Sequence, residues 1–497
     1  MTKTPLILGT TLLFIAVSIT AAAQPTLIAN HQPMPEPPML WLQIYNQGLP
    51  AKAMYTEQTS DGGFIMTGTS MTGTCPSGDI LFLMKTDAAG ILSWRNTYTP
   101  DGTNTHGYVV HQTNDGGYIV VGNKGYTYHY DAFVLKVDSN GNVTWQDSFG
   151  TYEKFEEGKD VIQTADGGYI VLALSGAQGG DVWLIKLAAD GTEQWNTTYG
   201  GSDFDTPSSF IQTADGGYLL IGETTTSDGS PDVWAVKTNA SGIEQWNKAY
   251  GAQGLPEEGI SVKASTDSYA ILANSYDYNW TGSLWLLSIS LNGTLQWDQH
   301  YSSANGSLVG TSLSTTYGGG YFITANNNEA SYNYFPDIYL LKTSPLGQTT
   351  WTKYYDFSQG NTDVSNHGLQ AADGSYYVTG YTGNDSNFTY YPYLLKIGSD
   401  RSIELSSVSA RLGVTAHLKN YGADDGTADV SITVNGGLLN HVNTSLTQRV
   451  TVPAGGEASV SCKPFLGLGP IHIAVNVNGA TYRYEGKQLF FLSLLLS

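Results

Sequence analysis

Gln163-Thr164-Ala165-Asp166-Gly167-Gly168-Tyr169-Ile170-Val171 reads as strand, tight turn, strand. An Asp-Gly pair between apolar runs signals a hairpin, because glycine reaches positive φ without a Cβ clash. The stretch decides the fold by recurring. It appears as Asp61-Gly62-Gly63-Phe64, Asp115-Gly116-Gly117-Tyr118 and Asp215-Gly216-Gly217-Tyr218. Degraded copies follow at Asp267-Ser268-Tyr269, Gly318-Gly319-Gly320-Tyr321 and Asp373-Gly374-Ser375-Tyr376. Successive copies start 54, 51, 49, 52, 51 and 55 residues apart, a period long enough for four short strands.

A second spacing fixes the rest of the unit. An apolar strand ends in lysine, and a tryptophan stands nine residues later: Lys85/Trp94, Lys136/Trp145, Lys186/Trp195, Lys237/Trp246 and Lys342/Trp351, with Ser288 ahead of Trp297 in the fifth unit. The turn between carries Gly90, Gly141, Gly191, Gly242, Gly293 or Gly347. In the third unit, strand A is expected from about Lys159 to Thr164, B over Tyr169 to Leu174, C over Asp181 to Leu187, and D from about Gln194 to Tyr199. Strand C is apolar on both faces (Val182 and Leu184 against Trp183, Ile185 and Leu187), so the sheet is covered on both sides. Tandem four-stranded sheets of this kind are propeller blades. Strand-D tryptophans number seven, Trp41, Trp94, Trp145, Trp195, Trp246, Trp297 and Trp351, and are assigned to the scaffold. The array opens on a lone strand D (Trp41 to Tyr45) and closes on A, B and C ending at Lys396. The expected fold is therefore a seven-bladed β-propeller with one-plus-three strand closure, which leaves no edge strand bare.

The chain has 497 residues with 43 acidic and 22 basic, a net charge of −21, which excludes a nucleic-acid surface. Lys3, the apolar run Pro5 to Ile19 and Ala21-Ala22-Ala23 read as a cleaved signal peptide, residues 1–23, implying a secreted or cell-surface protein. A membrane would be met only through that segment if it stayed uncleaved. A proline-rich linker (24–40) leads to the propeller (41–400). After Asp400 the tryptophans stop. Short strands are expected at Arg411 to Asn420, Ala428 to Val434, Gln448 to Val452, Ala458 to Cys462, Pro470 to Val477 and Thr481 to Leu495. They make residues 401–497 a small immunoglobulin-like β-sandwich. Cys75 and Cys462 fall in different domains, with no spacing that suggests a disulfide or zinc. His106 and His111, five apart on one strand, are expected on opposite faces, solvated or structural.

With these repeats in view, strings such as Gln212 to Gly251 resemble secreted archaeal and bacterial β-propeller repeat proteins, over about Trp41 to Lys396. The C-terminal part, with Pro453-Ala454-Gly455-Gly456-Glu457, is similar to CARDB-like adhesion modules of archaeal surface proteins. The first resemblance implies fold and location rather than mechanism. Asp138 to Trp145 also resembles the tryptophan-docking motif of quinoprotein dehydrogenases, in which the tryptophan packs between blades. The spacing is one residue shorter, and the adjacent cysteines that often accompany the quinone are absent. No cofactor is expected.

Candidate chemistry is sparse. Asp138-Ser139-Asn140-Gly141 has the look of a calcium loop, but its ligands are lost in other copies, so an aspartate capping its own turn is expected and no metal site. Carboxylates pair at Glu156/Glu157, Asp203/Asp205 and Glu257/Glu258, in corresponding D–A loops. The sequence holds no Gly-x-Ser-x-Gly, phosphate loop or His-Glu-x-x-His. Strand alternation puts the uniform A–B and C–D turns on one face and the irregular B–C and D–A loops on the other. The B–C loops hold Tyr126, Tyr128 and Tyr130; Tyr276, Tyr278 and Trp280; Tyr332, Tyr334 and Phe335; and Phe388, Tyr390 and Tyr391. Of these, Tyr126, Tyr128, Tyr276, Tyr278, Trp280, Tyr332, Tyr334, Tyr390 and Tyr391 form the expected ligand surface, rigid amphipathic area for a glycan or surface protein. The expected function is an extracellular binding module without covalent chemistry. The alternatives are a carbohydrate-active enzyme using loop carboxylates and a structural envelope component.

Overall fold

A computed structural model describes residue 37 and residues 39–495, apart from 72–77, 127–128, 151–154, 177–179, 202, 305, 318, 330–335, 358–360, 385–388, 399–402, 411–413, 421–425, 437–441, 454–455, 463–466, 478–479 and 491. The proposed signal peptide and most of the linker, Cys75, Tyr128, Tyr332, Tyr334, Phe335 and Phe388 lie outside the described residues. The chain is all-β and divides into two compact units, one within 33–402 and one formed mainly after Ile403.

The first unit is propeller-like. Among the described residues it holds seven four-stranded antiparallel sheets. Sheets 1 to 6 follow chain order A-B-C-D, their A strands beginning at Ala51, Asn104, Glu156, Asp205, Glu257 and Gly306. In sheet 3 the strands are Glu156–Gln163, Tyr169–Ser175, Asp181–Leu187 and Glu193–Tyr199. Sheet 7 takes Thr362–Gln370, Tyr376–Asn384 and Thr389–Ile397 from the end of the unit and Met39–Ile44 from its start, with Trp41 opposite Lys396.

Each sheet is packed between two others. Val182 and Leu184 join Phe210, Tyr218 and Leu220 of sheet 4, whereas Ile185 and Leu187 join Ile119, Val121 and Val134 of sheet 2. Tyr377 and Leu394 of sheet 7 share a core with Phe64, Met66 and Phe82 of sheet 1. These buried clusters supply the main stabilisation, roughly 25 cal/mol for each Å² of apolar surface removed from water.

Three side-chain devices repeat around the unit. The first is the turn aspartate: Asp166 lies 2.9 Å from the buried Lys186 ammonium, Asp61/Lys85, Asp115/Lys136 and Asp215/Lys237 do the same, and Asp373 meets the half-buried Lys396 at 2.7 Å. The second is the strand-D tryptophan, whose ring sits on the C–D glycine of the next sheet. Gly191 has φ +89°, and a Cβ there would come within 2.8 Å of the Trp145 ring. Trp41, Trp94, Trp195, Trp246 and Trp297 meet Gly90, Gly141, Gly242, Gly293 and Gly347 alike. Trp351 differs because sheet 7 takes its strand D from the start of the unit and has no C–D hairpin. It is buried against Phe322 and Tyr376 instead. The third is the tyrosine ending strand D, whose hydroxyl donates to the carbonyl of that same glycine, as Tyr45 does to Gly90 at 2.7 Å and Tyr98 to Gly141 at 2.8 Å.

The second unit has a three-stranded sheet (Ile403–Ala410, Val414–Asn420, Glu457–Cys462) and a five-stranded one. Alternate residues of both, such as Ala416 and Leu418 against Ile432, Ile473 and Val475, form one core. Ile403–Ala410 is a further strand beyond those expected from the sequence. Cys462 is a buried free thiol.

Candidate functional site

The A strands of all seven sheets border a central cavity of about 860 Å³. Every A–B pair carries a one-residue register shift, as between Gly158 and Asp160 or Gly107 and Val109. Such a bulge bends the strand and re-aims its side chains. It also corrects the expectation for the two histidines. Five residues apart, they would alternate on a regular strand, but the extra residue at Tyr108 restores both to the inner face. His111 lines the cavity, and His106 stands beside Tyr108 near its mouth, the rings 6.4 Å apart.

Deep in the cavity, six chemistry-bearing side chains converge from five sheets. His111 Nδ1 donates to Glu57 Oε2 at 2.6 Å, and its Nε2 lies 4.0 Å from Asp160 Oδ1. Asp160 Oδ2 also accepts from the Phe210 main-chain N–H at 3.3 Å. Tyr55 stacks on His367 at 3.9 Å and meets the edge of His111 at 5.3 Å. Lys263 completes the lining. Burial is the largest single influence on Asp160, Lys263, His111 and His367. It raises the Asp160 carboxyl, an effect that His111 and Lys263 only partly offset. It lowers the Lys263 ammonium, against the pull of Asp160. For His111 burial opposes the charged ring, but Glu57 and Asp160 outweigh it, and the pKa rises. His367, buried and facing the positive Lys263 and His111, is pushed down to about 3 and stays neutral.

Nearer the mouth, Glu157 Oε2 accepts from Lys159 Nζ at 2.7 Å, and Tyr276 donates to Glu258 Oε2 at 3.1 Å. Burial and the nearby Glu258 charge raise the Glu223 carboxyl. Strand alternation splits the adjacent pairs Glu156/Glu157 and Glu257/Glu258, whereas Asp203 lies before the strand that begins at Asp205. Glu157 faces the cavity while Glu156 is buried, and Asp205 and Glu257 are buried like Glu156. Neither Asp205 nor Glu257 is at the cavity wall. The site thus pairs carboxylates across sheets, not along a loop. Sequence reasoning missed Glu57, Asp160, Glu223, Lys263 and His367. The only signal available was that these positions break the repeat.

The loop aromatics separate into two kinds. Tyr278 and Trp280 are 81% and 70% exposed, and Trp280 sits in the left-handed region at φ +60°, a strained setting for a bulky residue. Tyr126 is exposed, and Tyr276 and Tyr391 are half-buried. Tyr390 is buried, its ring capped by the Lys52 ammonium at 4.2 Å and the edge of Tyr381 at 5.4 Å, so it is committed to packing rather than to a ligand. Asp138 caps its own turn, with Oδ1 accepting from Asn140 and Asn142 at 2.9 Å each.

No protein-family model matches the chain, and no curated protein matches it. Among solved structures it is similar to a polysaccharide lyase of family PL25, an ulvan lyase (9% identity, 72% of this chain and 96% of that one, TM-score 0.48). It is also similar to a fungal alcohol oxidase of the AA5 family in complex with copper (13% identity, 95% and 100%, TM-score 0.46). A protein of unknown function from Dyadobacter fermentans aligns at 9% identity over 74% of this chain and 100% of that one, with a TM-score of 0.45.

Proposed function

We propose that the seven sheets close as a seven-bladed propeller, that the second unit is an immunoglobulin-like, CARDB-like sandwich, and that the chain is a secreted or cell-surface binding module of the archaeal and bacterial propeller-repeat kind. Its ligand is a glycan or a surface protein, which reaches from the exposed loop aromatics at the mouth into the polar cavity. One observation carries this reading: His111, Asp160, Lys263 and His367 line one cavity from four sheets, with Glu57 of a fifth sheet bonded to His111, at positions where the repeat supplies no reason for them. Convergent polar groups in a cavity of a few hundred Å³ or more are the usual make-up of a ligand site. Tyr278 and Trp280 offer exposed rings on which a sugar face stacks.

The test is a glycan array probed with residues 24–497, followed by titration of any retrieved glycan. Glu57→Gln with His111→Gln is expected to weaken binding at least tenfold, and Trp280→Ala by a smaller factor. Undiminished binding by both variants would overturn the site. A second reading, a glycan-cleaving enzyme, is favoured by Glu223, because a raised carboxyl beside a second carboxylate is the arrangement of a general acid. Bond cleavage on the same array, lost in Glu223→Gln and Glu258→Gln, would select it.

A further inference from the structure

We propose that four junctions between consecutive sheets are binding sites for a hard divalent cation of the calcium class. Each is held by an aspartate near the start of strand C and the acidic residue near the start of strand A of the next sheet. The pairs are Asp131 with Glu156, Asp181 with Asp205, Asp232 with Glu257, and Asp337 with Asp363. In the other three junctions the same two positions read Ile80 with Thr105, Ser283 with Leu308 and Tyr391 with Ala51. Acid appears at both positions or at neither. Two carboxylates placed together repel, so their joint appearance and joint loss require a shared positive partner.

The space between them is kept open. The residue that follows strand D at these junctions is Gly150, Gly200 or Gly251. A Cβ on Gly251 would lie 2.4 Å from Asp232 Oδ1 and 2.9 Å from Glu257 Oε2, and one on Gly200 would lie 2.4 Å from Asp181 Oδ1 and 2.6 Å from Asp205 Oδ2. The oxygens border a gap that any larger residue would fill. At the fourth junction the glycine is replaced by Asp356, a third carboxylate, and oxygens of Asp337, Asp356 and Asp363 lie within 4.8 Å of one another.

Glu257 supplies an independent sign of a missing ligand. It is 2% exposed, and its Oε1 accepts from the Ala252 main-chain N–H at 3.4 Å and Ser275 Oγ at 3.5 Å. Its Oε2 has no hydrogen-bond partner and borders the same gap as Asp232. A buried carboxylate oxygen left so is costly unless a cation meets it. Main-chain N–H groups orient the strand-A carboxylate elsewhere too: Gly201 donates to Asp205 at 2.9 Å and Phe357 to Asp363 at 2.6 Å. Oxygen-only donors of mixed number suit calcium, which takes six to eight oxygens in flexible geometry, better than magnesium.

Tyr199, Tyr250 and Tyr355 directly precede three of the junction residues, so bound terbium should emit on tyrosine excitation. In the metal-stripped full chain, sensitised emission is expected to saturate at no more than four ions. Calcium should displace it and magnesium at equal concentration should not. The thermal midpoint is expected to rise with added calcium and fall in chelator. Glu257→Gln should lower the stoichiometry by one, and Asp337→Asn should abolish the tightest site. Absence of emission together with a midpoint equal in calcium and chelator overturns the proposal, and the wild-type chain alone delivers that result if a variant does not fold. A calcium-insensitive midpoint that Glu257→Gln raises at neutral pH also overturns it, in favour of carboxyls sharing a proton.

Discussion

At the end of the sheets that carries the A–B and C–D turns, Asp166 meets Lys186 at 2.9 Å, and four other sheets build the same pair. At the opposite end, the second residue before each strand-A bulge reads Lys52, His106, Glu157, Thr206, Glu258, Val309 and Val364 from sheet 1 to sheet 7. The two ends share strands, hydrogen bonds and core, so the difference lies in what each must do. One end must repeat the same tryptophan-on-glycine docking contact at six of the seven sheet junctions. The other is relieved of that duty, and its side chains are spent on a cavity. Uniformity marks what holds the sheets in place, and divergence marks what meets the outside.

The comparison breaks most sharply at glycine. Gly191→Val adds a strained positive φ and drives a side chain into Trp145, so unfolding in urea should show a loss of about 2–4 kcal/mol. Gly254, at φ +76° on the loop end with nothing within 4 Å, carries the backbone penalty alone, and Gly254→Ala should cost about 1 kcal/mol. Equal losses would erase the distinction between docking turn and free loop.

Acid and base should act on different groups. The Thr164 hydroxyl and the Lys186 ammonium hold Asp166 down to about 2, and Asp215 is held likewise by Thr213 and Lys237. A depressed folded value contributes stability above the ordinary aspartate range that is lost as pH falls through about 2. Thermal melts should therefore drop steeply below about pH 4, less so in Asp166→Asn. His111 has the other sign. Its raised folded value gives stability that is full below the ordinary histidine pKa and is lost as pH rises through the folded one. Glu57, Asp160, Lys263, His367 and Tyr55 face it, so NMR titration of its ring in Glu57→Gln should show a lower pKa. An unchanged value would mean that Glu57 does not hold the ring.

The smallest stability effect belongs to the exposed tip. Tyr278→Ala should stay within about 0.5 kcal/mol of the parent. Trp280→Gly, which relieves a left-handed backbone, should be neutral or stabilising by up to about 1 kcal/mol. Both should nonetheless weaken glycan binding in the same titration, separating fold from contact.

Much of the scaffold was legible because its signals are local. Asp166, Gly167 and Gly168 lie within one turn, and Lys186 and Trp195 stand at a constant offset, so period and strand count follow from spacing. The cavity was not legible. Glu57 and His111 are 54 residues apart, and Lys263 and His367 are further still; only the curvature of the unit brings them together. The histidine pair was misplaced for a different reason, because a bulge adds one residue and inverts every face beyond it. Tyr390 shows the reverse limit: a tyrosine in a polar loop looks free, and its burial depends on Lys52 from a strand more than 300 residues away.

The pairing of Met39–Ile44 with Thr389–Ile397 has a mechanical consequence. Met39 lies opposite Ile397, so the chain enters and leaves this strand pair at the same end. Tension between the residue before Met39 and the unit beginning at Ile403 would load those hydrogen bonds one after another, like the teeth of a zipper, rather than all together in shear. Trp41 on Gly90 and the Tyr45 hydroxyl on the Gly90 carbonyl sit beyond the first teeth and act as the brake. A pull along the chain therefore has one predetermined place to yield, while the other six sheets, each a continuous run of chain, stay whole.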